Sequence, residues 1–131
     1  MASFTHKNFK DDITDVAADR EGYDVEARFA RSSLESRELG VSYFNYAPNF
    51  RAPYGHKHKV QEEAYIVVSG SGRMKIDDEI LELRQWDVVR VAPDAMRGFQ
   101  AGPEGLEMIA VGGKRPEEGD GELEPGWWAE D

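Results

Sequence analysis

The chain has 131 residues, 40% of them apolar, which is enough for one domain around one hydrophobic core. Its formal net charge of −10 argues against a nucleic-acid or anionic membrane partner, since both need clustered cations. Cysteine is absent, so disulfides and thiolate ligands are excluded and any metal would be held by nitrogen and oxygen. No apolar run approaches the roughly 18 residues of a membrane helix. The start, "MASFTHKNFKDD", lacks an apolar signal core, which makes a cytoplasmic location the expectation.

Residues 1–24 are polar and acidic, with weak helical character from Asp12 to Ala18, and read as an arm lying on the domain. Residues 25–113 read almost entirely as strands. Val41, Tyr43 and Asn45 alternate with Ser42, Phe44 and Tyr46. Tyr65–Val68 is a β-branched and aromatic run, and Ser69-Gly70-Ser71-Gly72 predicts a turn after it. Met74 and Ile76 alternate with polar neighbours, and Asp77-Asp78 predicts a tight turn toward Ile80 and Leu83. Asp87–Val91 is a further strand stopped by Ala92-Pro93-Asp94. Arg97–Ala101 follows, stopped by Gly102-Pro103, and then Leu106–Val111. Short strands with turn chemistry between them and no helical period predict an all-β sandwich or barrel.

Residues 114–131, "KRPEEGDGELEPGWWAED", have the composition of a short acidic C-terminal tail in solvent. Trp127-Trp128 disagrees, because two indoles are costly to leave in water. The expected arrangement is a connector whose end docks on the body or on a partner subunit.

The stretch "YGHKHKVQEE" carries two of the three histidines. His56 and His58 are two apart, so on a strand both imidazoles face one side. Glu62 has the matching parity on a straight strand, whereas Glu63 reaches that face only if the chain bends between Lys59 and Glu62. Spacing alone leaves the two carboxylates open.

The order and spacing of His56, His58, Glu63 and Gly70 resemble the first motif of the cupins, which are small jelly-roll β-barrels. The resemblance covers roughly residues 25–113. It implies a metal held by His56, His58 and Glu63, and the Glu-to-Gly distance favours Glu63 over Glu62. It departs from the family at several points. Pro48-Asn49 stands where an opening Gly is usual, and Asn tolerates the same left-handed backbone. In the second motif Trp86, Ala92, Asp94 and Ala101 stand at family Gly, Pro, Gly and Asn positions. Arg97 stands at the position of the further histidine ligand.

An arginine stays protonated and cannot coordinate a cation. Three arrangements follow. His56, His58 and Glu63 alone bind a divalent metal, with Fe, Zn, Ni and Mn all compatible, and Arg97 with Tyr65 binds the substrate of an oxygenase or isomerase. Alternatively, the pocket is metal-free and binds a small, anionic molecule through Arg97 and the histidines. In the third, Arg97 pairs with Glu63 in the former metal position and the barrel is a scaffold. Tyr65, Val67, Met74, Ile76, Val89 and Phe99 are expected in the core, and Trp86 at one end of the barrel. Small cupins commonly pair, so the resemblance also implies a homodimer.

Overall fold

Alternation of apolar and polar side chains builds eight antiparallel strands among the described residues of the computed structural model, 3–116 and 118–131. Met1, Ala2 and Glu117, which belong to the expected arm and tail, lie outside the described residues. The strands are β1 Val25–Phe29, β2 Gly40–Tyr46, β3 Tyr54–His58, β4 Glu63–Ile76, β5 Glu79–Arg84, β6 Val88–Val91, β7 Arg97–Gly112 and β8 Gly121–Pro125. β7 is the hub: it pairs with β2, β3 and β4. β1 extends the sheet beyond β2, β8 extends it beyond β3, and β4 also pairs with β5 and β6. The curled all-β fold is the one expected from the sequence.

The core lies where the long strands β4 and β7 face the rest. Met74, Met108, Leu106 and Val67 are essentially sealed from solvent, with Tyr65, Phe99 and Val91 around them. Val89 and Ile76 pack against this cluster only partly buried.

Two predicted stops are instead interruptions inside continuous strands. Ser69–Gly72 does not end a strand, because β4 runs through it with register shifts at Val67/Ser69 and Gly70/Gly72. Gly70 has φ +80°, and a Cβ there would sit 2.2 Å from the Gly105 carbonyl oxygen. Glycine here bends a strand and admits a close backbone contact. Gly102-Pro103 likewise falls inside β7, at the facing irregularity, where Pro103 needs no ladder partner. Asn49 does take the left-handed backbone, with φ 63°. Trp86 has φ 74° at the turn before β6, but its ring is exposed and covers no barrel end.

The arm packs as expected but with different local structure. A single helical turn, Phe9–Asp12, is capped by the Asn8 side chain, and of the expected Asp12–Ala18 segment only Asp12 is helical. Ile13 and Ala17 are buried, and Asp15 bridges to Arg28 of β1. The Asp15 carboxylate accepts the backbone N–H groups of Ala17 at 2.9 Å and Ala27 at 3.0 Å.

The C-terminal segment is a structural part of the barrel and not a free tail. β8 pairs with β3 along all five residues. Its side chains are exposed, which is why its composition reads as solvated. Beyond it Trp128 is buried, with the guanidiniums of Arg51 and Arg73 over its ring at 4.5 and 5.2 Å. Asp131 joins both arginines and accepts the Trp128 indole N–H. Trp127 lies against Gly55, where a Cβ would meet its ring at 2.5 Å.

Trp128→Ala should lower the unfolding free energy by about 3 kcal/mol in a urea titration. A loss under about 0.5 kcal/mol, the range of neutral surface changes, would show that this end does not support the fold. For Asp15, burial pushes the carboxyl up, but the two backbone N–H groups and the Arg28 charge outweigh it, so its pKa falls below the ordinary 3.8. A lowered carboxyl pKa stabilises above the unfolded value and loses that contribution as pH falls through the folded one. The Ala17 and Ala27 amide shifts should therefore titrate together with a midpoint below 3.8. A midpoint above it would contradict the assigned hydrogen bonds.

Candidate metal centre

β3 puts His56 and His58 on one face with Lys57 between them on the other. The chain then bends at Lys59–Val60, and Glu63 opens β4 on the histidine side. Glu62 points away and pairs with Arg90 at 2.9 Å, so the bend selects Glu63. Asp120, in the connector before β8, shapes this bend. Its Oδ2 accepts the backbone N–H groups of Val60 and Gln61, each at 2.8 Å.

Both imidazoles converge on one oxygen. His56 Nε2 is 3.3 Å and His58 Nε2 3.1 Å from Glu63 Oε1. All three donor atoms lie within 4.8 Å of one another. Ligands about 2.1 Å from a common cation, at tetrahedral to right-angle spacing, would be about 3.0–3.4 Å apart. The two histidine–glutamate spacings fall in that range.

The hydrogen-bond chemistry provides a further test of fit. His58 Nδ1 is 3.0 Å from Asp120 Oδ1, and a carboxylate can only accept. The proton is therefore assigned to Nδ1. A neutral His58 then presents a lone pair at Nε2 to the lone pairs of Glu63. Two acceptors 3.1 Å apart need something positive between them, a proton or a metal cation. The donor set and its outer carboxylate match the pattern in which an acid orients a metal-bound imidazole.

The titration preferences agree. Burial would raise the Glu63 pKa, but hydrogen bonds from His56, His58 and Tyr65 hold it far below the usual carboxylate range. The bond to Glu63 raises the His58 pKa against the effect of burial, and Asp120 adds to it. Burial would also raise Asp120, yet the Gln61 and Val60 N–H groups and His58 push it down to about 2.

Tyr65 belongs to both core and site. Its ring is buried, and its hydroxyl lies 2.5 Å from Glu63 Oε1 and 3.2 Å from His56 Nε2. Arg97 is placed differently from the expectation that it binds substrate. It is completely buried and lies outside the cavity lining. Its guanidinium donates to the carbonyls of Ala95 at 2.9 Å, Pro93 at 3.3 Å and Ala92 at 3.4 Å, while Nη2 stands 3.7 Å from Glu63 Oε1. It staples the β6–β7 connection, and its charge lies behind the carboxylate. Its Nε is buried with no partner among the described residues. His6 sits in the exposed arm, apart from this cluster.

The three side chains line a cavity of about 440 Å³. Its walls are aromatic, from Tyr23, Phe44, Tyr46, Tyr54, Tyr65 and Phe99. The Tyr23 and Tyr54 hydroxyls bond each other at 2.8 Å. Tyr43 lies on the opposite face of β2, buried against Phe9 of the arm, and its hydroxyl donates to Glu107. Asp120 has no spacing signal in the sequence, because it reaches His58 only through the pairing of β8 with β3.

No protein-family model and no curated protein matches the chain. Solved structures do. A cupin protein from Bacteroides fragilis is 24% identical and superposes with a TM-score of 0.71 over 89% of each chain. KdgF from a Halomonas species is 17% identical, TM-score 0.68, over 90% of this chain and 98% of that one. A variant of Bacillus subtilis oxalate decarboxylase is 21% identical, TM-score 0.70, over 88% of this chain but only 32% of the larger enzyme. At these identities the likeness carries the fold, and the protein is a small barrel of the cupin fold.

Proposed function

We propose that the protein holds a divalent metal on His56, His58 and Glu63 and acts on a small molecule bound in the cavity beside it. The convergence of two imidazole Nε2 atoms on one glutamate oxygen at the cavity wall carries this reading. Nitrogen and oxygen donors suit Fe, Zn, Ni or Mn. When bound there, the cation would supply a Lewis acid beside the cavity.

The chain's own groups supply the rest. Asp120 fixes the tautomer and plane of His58. Burial and the Glu63 charge raise the Tyr65 pKa well above its usual value, so its hydroxyl keeps its proton and is a donor aimed at the ligand cluster. The aromatic walls exclude water and offer flat surfaces to a ligand. An isomerase or oxygenase is the reaction class proposed. The oxalate decarboxylase neighbour is an enzyme by name, so a barrel of this shape can serve a catalyst.

A second reading is favoured by one observation, the Arg97 guanidinium 3.7 Å from Glu63 Oε1. In it a proton takes the place of the metal between His58 and Glu63, and the cavity binds its ligand without a cation.

Elemental analysis of tag-free protein should find about one Fe, Zn, Ni or Mn per chain, and His56→Ala and Glu63→Gln should lose it. Metal-free protein that stays empty after reloading with each ion would leave only the second reading. Asp120→Ala should weaken metal affinity about 10–100-fold by freeing His58 to rotate. Unchanged affinity in a competition titration would show that Asp120 does not position the ligand.

A further inference from the structure

The cavity mouth carries two arginines that neither the metal centre nor the fold accounts for. Arg31 lies in the turn after β1, and Arg115 in the connector between β7 and β8, and both line the cavity. Neither forms an ion pair with a carboxylate among the described residues, in a chain with 26 Asp and Glu against 16 Lys and Arg. Arg115 makes no hydrogen bond to the described residues.

Arg31 is held in place by the architecture. Its Nη2 donates to the Gly113 carbonyl at 2.9 Å and its Nη1 to the Glu38 carbonyl at 3.4 Å. The guanidinium lies flat on Gly40, where a Cβ would meet Nη2 at 2.4 Å. Gly40 pairs with Gly112, and a Cβ on Gly112 would meet the Gln61 amide at 2.1 Å. Two facing glycines thus open a slot in which Arg31 and Gln61 both reach the Gly113 carbonyl. Burial, then the nearby Arg115 charge, work against the Arg31 proton, and the Asp120 and Glu63 charges offset part of this. Two neighbouring guanidiniums with no carboxylate in direct contact among the described residues form an arrangement that an incoming anion would complete.

The charges around the cavity point the same way. Its charged lining is Arg31 and Arg115 against Glu63 alone, with Arg97 behind Glu63 and Asp120 behind His58. The surroundings are net positive within a chain of net charge −10. Between the arginines and the histidines the walls are aromatic, with the exposed Phe29 and Leu123 among the lining residues.

We propose that Arg31 and Arg115 form the anion subsite of the cavity, and that its ligand is a carboxylate carrying a flat apolar body that stacks on the aromatic wall. Planar guanidiniums match a carboxylate in charge and geometry. The role once expected of Arg97 falls to residues in the segments that follow β1 and β7. The inference rests on the cavity being a ligand site, and it stands whether or not a metal is bound.

The test titrates the full chain calorimetrically with benzoate and with its neutral isostere benzamide, for both zinc-loaded and chelator-stripped protein. Wild type should bind benzoate at least about tenfold more tightly than benzamide in both forms. Arg115→Gln should weaken benzoate about tenfold and leave benzamide unchanged. Arg31→Gln should do the same. If losing its carbonyl bonds unfolds that variant, the exposed Arg115 still decides the matter. Arg90→Gln, which removes an equal charge outside the cavity, should change neither ligand. Equal affinity for the two ligands, no benzoate binding, or Arg variants that bind like wild type would overturn the proposal. Benzoate bound only by zinc-loaded protein, and untouched by Arg31→Gln and Arg115→Gln, would place the carboxylate on the metal: the subsite would fall and the metal reading stand. Arginine-dependent binding by a protein that takes up no zinc would have the reverse meaning.

Discussion

One carboxylate oxygen organises the interior of this barrel. Glu63 Oε1 is approached by His56, His58, Tyr65 and the Arg97 guanidinium. A mostly buried carboxylate survives only if its lost hydration is replaced, and here polar groups converge on it from four positions on three strands. The cost of burying the charge thereby becomes a constraint on how β3, β4 and β7 meet. Arg97, which reads as a substrate-facing group, is part of that compensation and gives up contact with the cavity.

The second constraint is closure of the open side of β3. β3 shares only one register pair with β7, between His56 and Arg97, so its other partner matters. β8 supplies it, and the chain that delivers β8 also delivers Asp120 to His58 and to the bend before Glu63. The Trp128 clasp then ties the end of the chain to Arg51 and Arg73. A segment that looks dispensable by composition thus holds the site's geometry from outside. The same connector contributes Arg115 to the mouth, so one stretch reaches both the histidine–glutamate cluster and the cavity.

Much of this could be read from the residues in order. Period-two alternation and turn chemistry placed most strands, since both are local properties of backbone and side chain. The His-x-His pair and its following glutamate were legible because two histidines two apart on a strand share a face. The choice of Glu63 over Glu62 needed either the family spacing or the observed bend. The glycine-rich stretches misled because a glycine that ends a strand and one that bends it look the same in sequence.

Residue order along the chain was enough for the strand content, for the His-x-His pair on one strand face and for an interior with too few histidines for a full set. Tertiary structure alone decided the fate of Arg97, the partnership of Asp120 with His58, and the meeting of Arg31 with Arg115. The last two join residues far apart in the chain: His58 and Asp120 are separated by 62 positions, and Arg31 and the Gly113 carbonyl by 82. Such contacts depend on which strands pair and in what register, and a residue's neighbours along the chain carry no record of that.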